Sequence, residues 1–395
     1  QHSDNTTLIS LVEAWMLENF EWMEASAASN TSKYWTAVGL VLKQARGLFA
    51  GYNAHCQPLS GHTTCAFTEF KEFVVYQPSA MTIFTAYSGA GGQSRLDVEK
   101  RQHCSALVKA VYDDSGAFNG MAAAHTTWGL YTSMVRIFKK YTFEGRTVTF
   151  SGYPLYLSSA DDFYVVDTGL VVLETTNSVF DASLFQKLTP KSVITWVRAM
   201  AALAVAGSPK QWVDVFAMYN SGTYNNQWMS LNVSSDAPNL WVVEQIPGYT
   251  HAGDMSSYVN GTVSEFWPSF NIPFFKDVYD LSGYPTEARD YPHGNQYVHS
   301  SCPRALIFAR DAPGVVDASS MMRLMRSNDY KHDPLALGDP TFQISSRFDL
   351  SGGDAAFIMG GVDTKVITRD LWRSNAILAE AGPTHQTLPP FSWDE

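Results

Sequence analysis

Arg101-Gln102-His103-Cys104-Ser105-Ala106-Leu107-Val108-Lys109, followed after a loop by Gly120-Met121-Ala122-Ala123-Ala124-His125-Thr126-Thr127-Trp128, is the stretch on which the reading of the chain turns. A polar, charged run from Gly92 to His103 gives way abruptly to an alternating apolar segment whose first residue is a cysteine. A second, small-residue segment ends on a histidine, with hydroxyls and an indole beside it. Two strands that start and stop in this way can place a thiol and an imidazole at the same sheet edge. If the bond before Cys104 is cut, the cysteine gains a free amine and the arrangement is catalytic. If it is not, the pair is a buried cysteine and a satisfied histidine, and the residues alone leave both readings open.

The 395 residues, 45% hydrophobic and 16% charged, can bury a large core in one big domain or two ordinary ones. With 11 Trp, 19 Tyr and 23 Phe, disorder is not expected over most of the length. A net charge of −11 argues against nucleic acid as a partner. No apolar run reaches transmembrane length, because Val193 to Gly207 is broken by Arg198. The expectation is a soluble protein. Cys56 and Cys65 close a short loop rich in turn formers and form a natural disulfide pair, the alternative being two free thiols. Sequons at Asn5, Asn30, Asn232 and Asn260, taken with that disulfide, favour the secretory route. No leader-like segment opens the chain, so a mature form is expected.

In order along the chain, Leu8 to Tyr52 reads as helices. Leu11, Trp15, Phe20 and Met23 lie near helical spacing, and the break at Asn30-Thr31-Ser32 can cap a second helix. Phe67 to Tyr87 is β-branched enough for strands, and the glycines from Gly89 to Gly92 read as a linker open to processing. Cys104 to Tyr112 and Met121 to Trp128 are strands, and Tyr131 to Tyr141 reads as an amphipathic helix with a basic carboxyl end. Short strands follow at Thr147–Phe150, Phe163–Asp167 and Leu170–Thr175. Helices are expected over Lys191 to Ala206, opened by Thr189-Pro190, and over Pro209 to Tyr219. Strands return at Asn226–Val233 and Leu240–Gln245, and a short helix at Ala318 to Arg326. This alternation is an α+β pattern with helices packed on sheet faces. Asp161-Asp162 resembles paired general acids but reads more readily as a solvated turn, and His332 as a surface residue.

The segments HCSALVK, AAHTTW, SSADDFY, VVLETTNS, YNSGTYNNQWM, VVEQIPG and WPSFNIPFF, in this order, resemble the phospholipase B-like (laminal ancestor) family of the N-terminal nucleophile hydrolases. The likeness runs from about Leu17 to the carboxyl end. It implies an αββα sandwich of N-terminal nucleophile hydrolase type. It also implies a mostly helical amino-terminal fragment, residues 1–103, with a linker at about 88–103, and a catalytic fragment, residues 104–395, forming one globular unit together. The strands that the family carries ahead of this region are not read here, and its late disulfide is missing, which leaves Cys302 buried and free.

The chain holds no G-x-S-x-G elbow, H-E-x-x-H, P-loop or C-x-x-C, so serine lipase and zinc hydrolase chemistry lack their signatures, and no metal or cofactor is expected. The mechanism implied is autoproteolysis at His103-Cys104, after which the α-amine of Cys104 serves the thiol as base. His125, where related cysteine amidases carry an aspartate, could hydrogen-bond the amine or the thiol. Asn225 and Asn226 offer amide donors to an oxyanion, the resemblance favouring Asn226, although paired asparagines are also turn residues. Thr175 and Thr176 could line the site with a hydroxyl, Trp128 could wall an acyl pocket, and Arg304 is the candidate for the arginine expected by analogy. The function implied is hydrolysis of acyl ester or amide bonds of a lipid or other acyl-bearing small molecule, in a lysosomal or secreted protein. The alternatives are a catalytically idle lysosomal glycoprotein that binds lipid or a protein, and an amidase of non-lipid substrates.

Overall fold

The structure is a computed structural model that describes residues 2–58, 65–78, 80–88, 104–113, 115–143, 145–290, 294–353 and 357–393. Among the described residues, the helices ahead of the cysteine are α1 (His2–Ser29), α2 (Lys33–His55), α3 (Phe70–Tyr76) and α4 (Ala80–Ser88). After it come β1 (Cys104–Tyr112), β2 (Phe118–Leu130), β3 (Ile137–Phe143), β4 (Arg146–Gly152), β5 (Phe163–Val166) and β6 (Leu170–Thr176). Then follow α5 (Thr195–Val205), α6 (Pro209–Ala217), β7 (Asn226–Asn232), β8 (Leu240–Ile246), β9 (Tyr249–Asp254) and β10 (Phe266–Ser269). The chain closes with α7 (Lys276–Leu281), α8 (Tyr284–Asp290), α9 (Pro303–Asp311), α10 (Ala318–Met325), β11 (Met359–Thr368), α11 (Arg369–Arg373) and β12 (Leu378–Ala381).

Among the described residues two antiparallel sheets result, one ordered β10-β1-β2-β11-β12 and the other β3 through β9 in sequence. Side-chain alternation sorts each strand between two cores. On β6, Leu170 and Val172 face the helices α1 to α6, while Val171 and Leu173 meet Ala106, Val108 and Ala123 of the other sheet. On the far face of the five-stranded sheet, Leu107, Ala122 and Ala124 pack against Ile307 and Phe308 of α9 and Met321 and Met325 of α10. Helix, sheet, sheet, helix is therefore the layer order, the αββα sandwich. Strands buried on both faces explain β2, whose run Ala122 to Ala124 uses small residues where two layers close in. The helices ahead of Cys104 share one continuous core with α5, α6 and the seven-stranded sheet.

Several local expectations change. Within Phe67 to Tyr87 the structure has helices, not strands, at Phe70–Tyr76 and from Ala80: Glu69 and Glu72 form a capping box at the start of α3, and Phe73, Val74 and Ile83 gain more by burial against α1 and α2 than strand propensity offers. Tyr131 to Tyr141 is a single 3-10 turn followed by β3, whose hairpin with β4 closes through Gly145 at φ +82°. The helix expected from Lys191 begins only at Thr195, because Asn19 donates to the carbonyls of Pro190 and Ser192 at 2.8 Å each and holds that segment extended. On α1, Leu11 is exposed, and Val12, Trp15, Met16, Phe20 and Met23 form the buried stripe. Ser32 caps α2 through the Trp35 N–H, as the sequence indicates.

Candidate active site

Cys104 opens β1 opposite Thr127 of β2, and the same pairing sets His125 between Ala106 of β1 and Lys365 of β11. The cysteine is buried, and two side chains hold its backbone. Its N–H donates to Asn271 Oδ1 at 3.1 Å, and its carbonyl accepts from Arg304 Nη1 at 2.6 Å. Asn271 itself is clamped by donating to the Thr176 carbonyl at 2.7 Å and accepting, through its own carbonyl, the Tyr284 hydroxyl at 2.8 Å. Arg304 also donates to the Phe270 carbonyl at 2.7 Å and lies 4.6 Å from the centre of the Trp128 ring. Burial brings its pKa down to about 10, so it remains cationic.

Burial, then the negative fields of Glu174 and Asp162, push the Cys104 thiol well above its ordinary pKa, against which the Trp128 main-chain N–H works only in part. A standing thiolate is thus disfavoured, and the sulfur needs a base at the moment it reacts. His125 is fully buried; burial first and Lys365 second hold its ring pKa well below the usual value, so it is neutral. Its Nδ1 meets Thr127 Oγ1 at 3.2 Å, while the ring faces the Glu174 main-chain carbonyl without a well-formed hydrogen bond from Nε2. Donor atoms of Cys104, His125 and Glu174 lie within 4.8 Å of one another. A metal could use such a trio, but the Glu174 carboxylate is already engaged. It accepts from Tyr224 Oη at 3.0 Å and from Asn226 Nδ2, and it is hydrogen-bonded to the Asp162 carboxyl.

In that acid pair Glu174 is the member the sequence reading passed over, and Asp162 the one it favoured as a turn residue over a general acid. Asp161 and Asp162, expected in a solvated turn, are both buried. Burial lifts Asp162 to about 6 despite hydrogen bonds from Glu174 and Tyr224, and burial together with Asp162 lifts Glu174 well above its usual range. Asp162, Tyr224 and Asn271 all stand at positive φ, 54°, 59° and 70°, a strain that these surroundings impose next to the cysteine. The turn that carries Tyr224 depends on Gly222, φ +67°, where a Cβ would lie 2.6 Å from the Pro247 Cα. Beneath His125, Lys365 donates to Thr127 Oγ1 at 2.5 Å and Asp363 Oδ1 at 2.6 Å, and Arg136 donates to Asp363 at 2.6 Å and lies 3.2 Å from Asp161. Burial would raise Asp363, but Lys365 and Arg136 outweigh it and bring the carboxyl to about 2.

Of the residues singled out by sequence, Cys104, His125, Trp128, Thr176, Asn226 and Arg304 converge. Thr175 is one shell out, its hydroxyl 2.6 Å from Ser269 Oγ and accepting from the Asn271 N–H at 3.3 Å. Asn225 turns away and donates to the Gly222 carbonyl at 2.9 Å, the turn role left open for it. Asn226 spends its amide on Glu174 instead of on an open oxyanion position. His103 and the linker lie outside the described residues, as does the side chain of Asn5. Asn30 and Asn260 are exposed and Asn232 is half-buried. Cys56 and Cys65 are disulfide-bonded, and Cys302 is buried and free. Asn271, Glu174, Tyr224 and Lys365 were missed. The available signal was a lone acid or lysine inside an apolar strand, in VVLETT and in TKVIT, and a lone amide among aromatics in SFNIPFF.

A cavity of about 730 Å³ opens at Cys104, with Trp128, Tyr153, Asp162, Thr176 and Tyr224 among its lining residues. Among the described residues, no helix is long and apolar enough to cross a membrane.

The profile of the family described as Phospholipase B matches residues 1–395. Phospholipase B-like protein B of Dictyostelium discoideum is 36% identical over 419 residues, covering 98% of this chain and 70% of the relative. Human Phospholipase B-like 1 is 36% identical over 409 residues, covering 98% and 71%. Among solved structures, a mutant conjugated bile acid hydrolase from Clostridium perfringens superposes with a TM-score of 0.36 at 10% identity, over 73% of this chain and 97% of that one. The match over the whole length, with relatives above 30% identity, shows that this chain belongs to the phospholipase B family.

Proposed function

We propose that the protein is an acyl hydrolase that cuts ester or amide bonds of lipids through a thioester on Cys104, after cleaving its own His103–Cys104 bond. The observation that carries this reading is a thiol at a strand start, opening into a largely apolar cavity, with its main-chain nitrogen fixed by Asn271. In maturation the sulfur attacks the His103 carbonyl, the acyl group shifts from nitrogen to sulfur, and water hydrolyses the thioester. The products are a carboxylate on His103 and a free amine on Cys104.

That amine, with an intrinsic pKa of about 8, takes the thiol proton as the sulfur attacks a substrate carbonyl and passes it to the departing alcohol or amine. Water then releases the fatty acid. The raised pKa of the thiol suits such coupled transfer better than a resident thiolate. Asn271 orients the amine, Arg304 fixes the Cys104 carbonyl, and neutral His125 stands with a ring nitrogen within 4.8 Å of the sulfur, close enough to reach the thiol or the amine with a small shift of the ring. Asn226 can serve an oxyanion only by releasing Glu174, and the Trp128 N–H beside the sulfur is a second donor. The exposed sequons at Asn30 and Asn260 and the Cys56–Cys65 disulfide support a glycosylated lysosomal or secreted protein whose two fragments stay together.

A panel of phospholipids, lysophospholipids, acylglycerols and N-acyl amides at acidic pH tests the reading. The matured protein releases fatty acid from at least one class, and Cys104→Ala lowers that rate by about 10³-fold or more. Release that survives Cys104→Ala, or none from any class, would sink it.

A further inference from the structure

The walls of the cavity at Cys104 come from two sides of the nucleophile in sequence. Trp128, Leu130, Val135 and the Tyr153–Tyr156 loop follow it, whereas Tyr76, Pro78, Ala80 and Phe84 belong to α3, α4 and the turn between them, ahead of it. We propose that this upstream segment is the wall that reads the acyl chain, with Phe84 and Tyr76 setting the length of chain accepted.

The placement is built, not incidental. Ala80 and Phe84, four residues apart, share the cavity face of α4, while Ile83 is fully buried in the core behind it. Gln77 pins the turn: it donates to the Leu155 carbonyl at 2.9 Å and accepts from the Leu157 N–H at 3.4 Å. Thr82 pins α4 by accepting the Tyr224 N–H at 2.8 Å, which ties the wall to the residue that bridges the acid pair. Tyr76 packs on Tyr156 with ring centres 5.2 Å apart, and Tyr156 on Tyr153 at 5.4 Å, giving a continuous aromatic surface. Among the described residues that line the cavity there is no lysine, arginine or histidine, and Asp162 is the one ionisable carboxyl. Such a lining has nothing to pair with a phosphate and much to bury a hydrocarbon, so a linear acyl chain is the part of a substrate that enters.

The inference rests on the proposed role of Cys104 as acyl acceptor, and its test is independent of turnover. Matured protein is treated with N-ethyl, N-butyl, N-octyl and N-dodecyl maleimide, and the rate of labelling at Cys104 is read by peptide mass, which separates it from Cys302. The rate should rise with chain length in the native protein. Phe84→Ala and Tyr76→Ala should each lower the octyl-to-ethyl ratio by about tenfold while leaving the ethyl rate within about twofold. Phe84→Leu, which keeps an apolar side chain at this half-buried position, should shift the ratio in the same direction by a smaller factor. Equal rates for all chain lengths, or ratios untouched by the three substitutions, overturn the proposal. A chain-length preference in a protein that hydrolyses no ester or amide would retire the hydrolase reading and leave the acyl wall standing.

Discussion

Burial sets the chemistry of the individual residues around Cys104. The same desolvation that raises the thiol also raises Glu174 and Asp162, and the charge of Asp162 lifts Glu174 further. Asp162 carries a pH signature. Its folded pKa is raised to about 6 from 3.8, so the folded protein keeps a proton that the unfolded chain releases between those values. The contribution to stability is therefore present in full below pH 4 and is lost as the pH rises through about 6. His299 works the other way over much of this range, because burial lowers its ring to about 4. A comparison with Asp162→Asn isolates the term. In urea unfolding at pH 5 and pH 7, native protein should gain on the order of 1–3 kcal/mol relative to Asp162→Asn on acidification. No difference between the two pH values would mean that the acid pair does not exist as described. Sequence could not announce this pair, since Asp161-Asp162 has the composition of a turn. Only the fold reveals that the turn is roofed by Tyr153, Tyr164 and Tyr224.

At the level of elements, what was legible follows from where the competing forces agree. β5 to β8 were found within a residue or two, because Val171 and Leu173 on one face and Leu170 and Val172 on the other make a run that reads as a buried strand. α3 and α4 were missed because β-branched residues there are buried by α1 and α2, a contact far away in sequence that propensity does not contain. β3 was missed because its charges recur at a spacing that also fits a helix, and Gly145 decides for the hairpin. The Cys56–Cys65 disulfide, with a sequence separation of 9, ties the end of α2 to the approach of α3. Replacing both cysteines with serine should cost about 2–3 kcal/mol in reversible unfolding by the loop-closure argument. Both thiols alkylatable in the native protein without reductant would contradict the pairing.

Across the whole molecule, the order of layers places the first residue of a central strand at the bottom of a cavity, with helices from upstream of that residue forming part of its wall. The quoted motifs, not periodicity, made this architecture readable beforehand, for no local pattern says that two sheets stack face to face. One core unites the helices ahead of Cys104 with α5, α6 and the seven-stranded sheet, so a cut before Cys104 would leave both pieces holding a shared apolar interior. The central claim is that Cys104 makes that cut and then works from the new amino terminus. Amino-terminal sequencing with intact mass, on native protein and Cys104→Ala matured side by side at acidic pH, tests it most directly. The account predicts a large fragment beginning at Cys104 that co-purifies with the smaller one, and a folded, uncut chain for Cys104→Ala. A cut only within residues 89–100, made equally in Cys104→Ala and leaving His103 attached, would contradict it, because the cysteine would then have no free amine to act as base.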